Sequence, residues 1–131
     1  MASCFVLVEK STGALAGYYT LAASSVPAND LPMEILKRLP RYPILPAALI
    51  GRLAIDQLYQ RRGLAGALLA DSAKRVLAGD TKAFALIVDA KDENAAAFYR
   101  LQGFRPFASR PMSLFLPLAT AKKGAEAGPL G

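Results

Sequence analysis

The sequence predicts a single α/β domain, a mixed β-sheet with helices covering its faces. Three observations predict it. The chain has 131 residues, which suits one domain around one core. Its hydrophobic fraction is 53% and its mean hydropathy is +0.27, so apolar material is ample. Its apolar segments follow the order strand, strand, strand, helix, strand, helix, strand. Aromatics are few and Trp is absent, so alanine and leucine are expected to supply much of the core.

Each element has a local signature. Cys4 to Val8 (CFVLV) is apolar and β-branched and reads as a buried strand. Lys10 to Gly13 (KSTG) is a turn, and Ala14 to Ser24 is the partner strand of a hairpin. Pro27 to Pro32 is turn-rich. Glu34 to Leu39 is a short helical candidate, followed by a rigid stretch from Pro40 to Pro46. Ala47 to Ile55 (AALIGRLAI) reads as a central strand, in which Gly51 marks a bulge or a close backbone approach.

Gly63 to Ala78 reads as a helix. Ala65, Leu68, Leu69, Ser72 and Val76 share one face at helical spacing, while Asp71, Lys74 and Arg75 fall elsewhere. Ala83 to Asp89 is another buried strand. Asp92 to Gln102 reads as a second helix, with Asp92 or Asn94 as its cap and Gly103 as its stop. Met112 to Leu118 is the last strand. Residues 1–120 are expected to form the domain, and residues 121–131 (AKKGAEAGPLG) a disordered tail.

The net charge is +6 and the pI about 9.7. Such an excess attracts polyanions: nucleic acid, a nucleotide cofactor, an anionic membrane surface or an acidic partner. Several arginines cluster around one loop, which favours the polyanion reading over plain solvation. The single cysteine, Cys4, cannot form an internal disulfide, so a reducing compartment is expected. It sits in an apolar run and is expected to be a buried, inert thiol. The sequence has no His, which excludes Ser-His and Cys-His catalysis and nearly every zinc site, and no metal is expected. No apolar run reaches membrane-spanning length and no signal peptide is visible, so the expected location is the cytoplasm.

The chemistry points to the loop after the central strand. Gln60 to Ala65 (QRRGLA) opens a helix, whose first N–H groups lack intrahelical partners and whose dipole favours an anion. Gly63 allows a phosphate close approach to the backbone. Leu64, Ala65 and Gly66 continue into the first turn, and the small Ala65 and Gly66 remove bulk. Arg61 and Arg62 add positive charge. A glycine that merely starts a helix is the plain alternative. There is no GxxxxGK[ST] and no GxGxxG, so neither a P-loop nor a Rossmann site is expected.

QRRGLA resembles the coenzyme A loop of the GNAT N-acetyltransferases, Q/R-x-x-G-x-G/A, at every defined position. A second resemblance lies in ENAAAFYRLQGF (Glu93 to Phe104), on the helix after the next strand. With GYYTLA (Gly17 to Ala22), IGRLAID (Ile50 to Asp56) and YQRRGLAGALLADSAKR (Tyr59 to Arg75), the chain from Cys4 to Leu118 is similar to the GNAT toxins of bacterial toxin–antitoxin pairs, the TacT/AtaT type.

The resemblance implies a GNAT fold: a mostly antiparallel mixed sheet, splayed at a central bulged strand, with helices on both faces. It implies acetyl-coenzyme A as co-substrate and aminoacyl-tRNA as acceptor. A ribbon-helix-helix antitoxin and a homodimer are the implied protein partners. Leu53, Ala54 and Ile55 would offer backbone groups to the pantetheine arm and polarise the thioester carbonyl. Gln60 to Gly66 would hold the pyrophosphate, with Phe98 beside the cofactor. Tyr99 would be the general acid that protonates the departing thiolate; a core aromatic beside Phe98 is the alternative. Asn94 would hydrogen-bond the pantetheine or cap its helix. Arg52 would reach a tRNA phosphate or pair with Asp56. No Asp or Glu stands out as general base.

The family's first strand and first helical pair have no counterpart before Cys4. The donor half of the site is therefore expected to be better kept than the acceptor half, and the edge of the first strand to be unpaired. Two other readings compete: a GNAT acting on a small amine or a protein N-terminus, and an inactive GNAT that serves as a binding module.

Overall fold

The structure, a computed structural model, describes residues 2–37, 43–60, 62–79 and 83–118. Strands β1 (Ser3–Val8) and β2 (Leu15–Pro27) form the expected hairpin. Its turn closes at Gly13, where φ is +74°. A short helix α1 (Met33–Leu36) precedes β3 (Ile44–Ile55). Then come α2 (Leu64–Ala78), β4 (Ala85–Asp89), α3 (Glu93–Leu101), a two-residue β5 (Arg105–Pro106) and β6 (Ser113–Pro117). The described sheet runs β1-β2-β3-β4-β6-β5. β3 and β4 pair in parallel and the other neighbours pair antiparallel. This is the mixed, mostly antiparallel sheet that the resemblance implies.

The alternation of β4 builds the core on both faces. Leu86 and Val88 join Ile50, Leu68, Leu69 and Ala96 beneath α2 and α3. Ala85 and Ile87 join Val26, Leu45, Phe107 and Phe115 on the other face, where Ile35 and Leu36 of α1 pack. All four β4 side chains from Ala85 to Val88 are buried, as strands covered on both sides are. Helix α2 buries Leu68, Leu69, Ser72 and Ala73, and each fully buried leucine contributes about 1.5–3 kcal/mol.

Several expectations need correction. β1 is an edge strand and not a buried one: only Phe5 and Leu7 turn toward the core, and Val6 and Val8 are exposed. Cys4 is exposed as well, because it shares their face. β3 begins at Ile44, so Pro46 belongs to a central strand. Its carbonyl accepts from Phe84 N–H at 2.7 Å, so its missing N–H faces the β4 side, where strand pairing starts only at Ala47. Asp71 is half-buried and receives the hydroxyl of the core residue Tyr19, so it faces the sheet more than helical spacing suggested.

Asp92, not Asn94, caps α3, accepting the Ala95 N–H at 2.8 Å. Gly103 ends that segment with φ +101°. The short β5 carries no apolar run and left no signal. Leu39, the stretch from Pro40 to Arg41 and the 121–131 tail lie outside the described residues. No helix of the described residues is long and apolar enough to cross a membrane.

Candidate active-site cleft

The site begins with a bulge. Tyr19 pairs with Leu53 and Leu21 with Ile50, so two steps on β2 answer three on β3. The extra residue lies at Gly51–Arg52, where the glycine pointed. Thr20 fills the distortion: its hydroxyl accepts the Arg52 N–H at 3.0 Å. A Cβ on Gly51 would sit 2.8 Å from that oxygen, so glycine is needed for close approach. Nothing in a lone threonine signals from the sequence that it plugs a bulge on the next strand.

One extra residue turns the rest of β3 around. Asp56 N–H donates to Ala16 of β2 at 2.8 Å. Alternation then directs the Ala54 backbone to β2 and the Leu53 and Ile55 backbones away from it. β4 stops pairing with β3 at Ile50↔Val88, so those groups face a gap in the sheet. Of the three predicted backbone positions, Leu53 and Ile55 therefore point into the gap, while Ala54 serves the β2–β3 ladder. The Ile55 carbonyl accepts from Gln60 Nε2 at 3.1 Å, which ties the loop back to the strand.

A cleft of about 370 Å³ occupies the gap, lined by Arg52, Leu53, Asp89, Phe98 and Tyr99 among others. It adjoins a second cavity of about 400 Å³ lined by Ile55, Gln60 and Gly63 to Gly66. The two share Leu53, Ala65 and Phe98. Strand alternation gives the cleft two mouths. Leu53 and Ile55 pack with the α2/α3 core, so the second cavity opens on that face. Tyr18, Arg52 and Ala54 alternate with them and open on the opposite face, as does Asp89, which follows Val88 on β4.

The loop at the first mouth has the predicted form. Gly63 precedes α2 with φ +74°, a conformation glycine adopts without strain. Its own Cβ position is empty for 4 Å around, so space remains above the loop. Ala67 N–H is the first to close a turn, onto the Gly63 carbonyl at 3.2 Å. No described residue accepts from the N–H groups of Leu64, Ala65 and Gly66, which leaves them for an anion. Arg62 lies over the Tyr59 ring, 5.3 Å from its centre. The Tyr59 hydroxyl donates to Glu9, which straps the loop to the first hairpin. That hydrogen bond pushes the Tyr59 phenol up and holds the Glu9 carboxyl below its ordinary value. Arg61 lies outside the described residues.

Tyr99 lines the cleft and packs between Phe98 and Phe104, each with ring centres 5.6 Å away. Its ring therefore packs with the core aromatics and also borders the cavity. Burial pushes its phenol above the ordinary tyrosine value, so it keeps its proton at neutral pH. No described residue hydrogen-bonds its hydroxyl. Asn94 is exposed on the first turn of α3 and does not line the cleft. Arg52 borders the cleft and forms no ion pair with Asp56; the Asp56 carboxylate instead accepts the Leu58 N–H at 3.0 Å.

A second polar cluster joins residues far apart in the sequence and leaves no local signature there. The hydroxyl of Tyr19 donates to Asp71, and Arg75 Nε donates to both, at 2.9 Å and 3.0 Å. Arg75 also lies 4.1 Å from the centre of the Phe5 ring. Burial, then the Asp71 hydrogen bond, pushes the Tyr19 phenol up to about 12. This cluster pins α2, and with it the glycine loop, to β1 and β2.

Comparison with known proteins follows the same lines. The family described as "Acetyltransferase (GNAT) domain" matches residues 45–113, the span from β3 into β6. A tRNA-acetylating toxin of Mycobacterium tuberculosis is 36% identical over 121 residues, covering 91% of this chain and 70% of that protein. AtaT complexed with acetyl-methionyl-tRNAfMet superposes with a TM-score of 0.85 at 29% identity, over 95% of this chain and 75% of that one. AtaTR bound with AcCoA gives a TM-score of 0.77 at 27% identity, over 95% and 74%.

Proposed function

This chain belongs to the GNAT acetyltransferase family, and from that premise we propose that it is a toxin that transfers the acetyl group of acetyl-coenzyme A to the α-amine of aminoacyl-tRNA. The observation that carries the reading is the cleft through the sheet. One mouth offers free backbone amides at a glycine turn, suited to a pyrophosphate. The other offers the cations Arg52 and Lys91, suited to a nucleic acid end. The similarity to a tRNA-acetylating toxin and to the tRNA-bound AtaT supports that acceptor over a small amine.

In this reading the cofactor's pyrophosphate sits against Leu64 to Gly66, with Arg62 at the rim. The Gln60 side chain, bonded to Ile55, fixes the loop rather than the phosphate. The pantetheine lies along the outward backbone of Leu53 and Ile55, beside Phe98. The Leu53 N–H is best directed to polarise the thioester carbonyl as its oxygen gains charge. Tyr99 holds a proton at neutral pH and gives it to the sulfur as the C–S bond breaks. Arg52 receives a phosphate of the acceptor end. No covalent enzyme intermediate is needed, which agrees with a chain that has no His and whose one thiol lies on β1, away from the cleft lining.

The toxin reading extends to a ribbon-helix-helix antitoxin, a homodimer and a cytoplasmic location. The structure of AtaT bound to the C-terminus of the antitoxin AtaR supports an antitoxin partner. The exposed Val6 and Val8 on the edge strand β1 support self-association. The acceptor itself supports the third, since charged tRNA is a cytoplasmic substrate. The test is direct: charged tRNA is incubated with acetyl-coenzyme A and the protein, digested with nuclease, and read by mass spectrometry. N-acetylated aminoacyl-adenosine is expected, and its absence alongside acetylation of small amines would replace the tRNA acceptor with a small one.

A further inference from the structure

The cleft holds a carboxylate that the sequence did not single out. Asp89 ends β4 and lines the same cavity as Arg52 and Tyr99. Leu86 and Val88 point into the α2/α3 core while Ala85 and Ile87 point to the other face. Asp89 continues the second set, so its side chain stands at the mouth opposite the glycine loop. It is paired with Ser113 across the β4–β6 ladder. The Ser113 hydroxyl donates to Asp89 Oδ1 at 2.6 Å, which fixes the carboxylate and leaves Oδ2 with no described partner. Among the residues lining the two joined cavities, Asp89 is the single carboxylate.

The groups that face this carboxylate decide what it does. Arg52 comes from β3, Tyr18 from β2, Lys91 from the loop after β4, Tyr99 from α3 and the uncharged Ser113 from β6. None of the charged ones forms an ion pair with Asp89 among the described residues. An oriented carboxylate in a cavity that two cations also line attracts neither a phosphate nor the cofactor. It suits the one cationic group the acceptor brings, an α-ammonium, while Arg52 and Lys91 suit the phosphates beside it.

We propose that Asp89 receives the acceptor's α-ammonium and takes a proton from that nitrogen as the amide forms, with Ser113 as its positioning residue; this rests on the acetyltransferase reading above. The step balances. The bound α-ammonium first gives one proton to water, the neutral amine nitrogen then attacks the thioester carbonyl carbon, the N–C bond forms and the C–S bond breaks. The proton leaving nitrogen goes to Asp89 Oδ2, and the departing thiolate takes the proton of the Tyr99 phenol. Asp89 then releases its proton to water and Tyr99 regains one, so the products are the N-acetyl compound and free coenzyme A. Attack leaves the nitrogen positively charged in the tetrahedral intermediate, so it yields to a carboxylate a proton that the neutral amine would keep.

The experiment measures kcat/KM for Asp89→Asn and Ser113→Ala across pH 6.5 to 9.5. Two acceptors are used: charged tRNA near neutrality, and an amino-acid amide that survives the alkaline end. At neutral pH, Asp89→Asn is expected to lose about 10²-fold, and Ser113→Ala a smaller factor. Both deficits should shrink as pH passes the α-amine's ordinary value near ~8, where the amine arrives neutral and hydroxide can take its proton. Acetyl-coenzyme A affinity, read by calorimetry, should be unchanged in both. Unaltered activity in Asp89→Asn, or a loss equally deep at every pH, overturns the assignment. If Asp89→Asn fails to fold, Ser113→Ala carries the same pH test. Wild-type protein that acetylates the amide but not charged tRNA would sink the tRNA reading and leave Asp89 fully tested.

Discussion

The two mouths of the cleft are built on different principles. The glycine-loop mouth uses backbone: the N–H groups of Leu64 to Gly66 and the outward amides of Leu53 and Ile55. Apart from Tyr59 and Gln60 its lining side chains are small or apolar, and none bears a negative charge. The opposite mouth uses side chains, Tyr18, Arg52, Asp89 and Lys91, standing on three strands and in a loop. Backbone recognition is fixed once the strand and helix form, so it suits an invariant cofactor. Side-chain recognition can be altered one residue at a time, so it suits the acceptor that distinguishes one acetyltransferase from another.

The sharpest way to break this comparison is at Tyr99, next to Phe98, which both cavities share. Tyr99→Phe is expected to lower kcat by about 10²–10⁴-fold while acetyl-coenzyme A still binds in calorimetry. Full activity in that variant would remove Tyr99 from the chemistry and leave it a core aromatic.

Gly63→Val addresses the backbone mouth. A β-branched residue held at φ +74° costs roughly 1–2 kcal/mol, and its side chain enters the space above the loop rather than the core. Acetyl-coenzyme A affinity should fall at least about tenfold, with little change in amine preference. An unchanged dissociation constant would place the pyrophosphate elsewhere.

Arg52→Gln addresses the side-chain mouth. Here kcat/KM on charged tRNA should fall several-fold and its salt dependence should flatten by about one phosphate contact. Acetylation of an amino-acid amide should hold. Equal losses on both acceptors would show that Arg52 shapes the cleft instead of gripping a nucleic acid.

The smallest effect on activity is expected at Tyr19→Phe, which lies in neither mouth. It removes the hydroxyl that joins Asp71 and Arg75, and should cost about 1–2 kcal/mol of stability. The pH dependence has a definite sign. The folded phenol is raised to about 12 against an unfolded value near ~10. Its contribution is therefore complete below pH ~10 and is lost as pH rises toward 12. Urea melts of the wild type should weaken across that window more steeply than those of Tyr19→Phe.

The same division governs what the sequence revealed. The backbone mouth was legible because its parts are contiguous: a glycine inside an apolar strand, then a glycine at a helix start. Each needs a special conformation or a close approach, and each leaves a local signature. The bulge expected at Gly51 is there, as is the turn at Gly63. The side-chain mouth was not legible, since Asp89 acquires its place from the β4–β6 register and Thr20 from the β2–β3 register. Neither register can be read from the residues alone. Cys4 failed for a related reason: an apolar run signals a strand, but only the sheet order tells whether that strand is central or at the edge.

The most direct test of the two-mouth cleft is calorimetry with a bisubstrate conjugate, coenzyme A joined through an acetyl spacer to the amine of an aminoacyl-adenosine that keeps its 5′-phosphate. A continuous cleft predicts affinity at least about 10²-fold above that of coenzyme A alone, as expected when two tethered groups engage adjoining sites. Arg52→Gln and Asp89→Asn should lose only that increment, and Gly63→Val the part owed to coenzyme A. A conjugate that binds no tighter than coenzyme A would contradict the account, because the amine would then have no site within reach of the thioester.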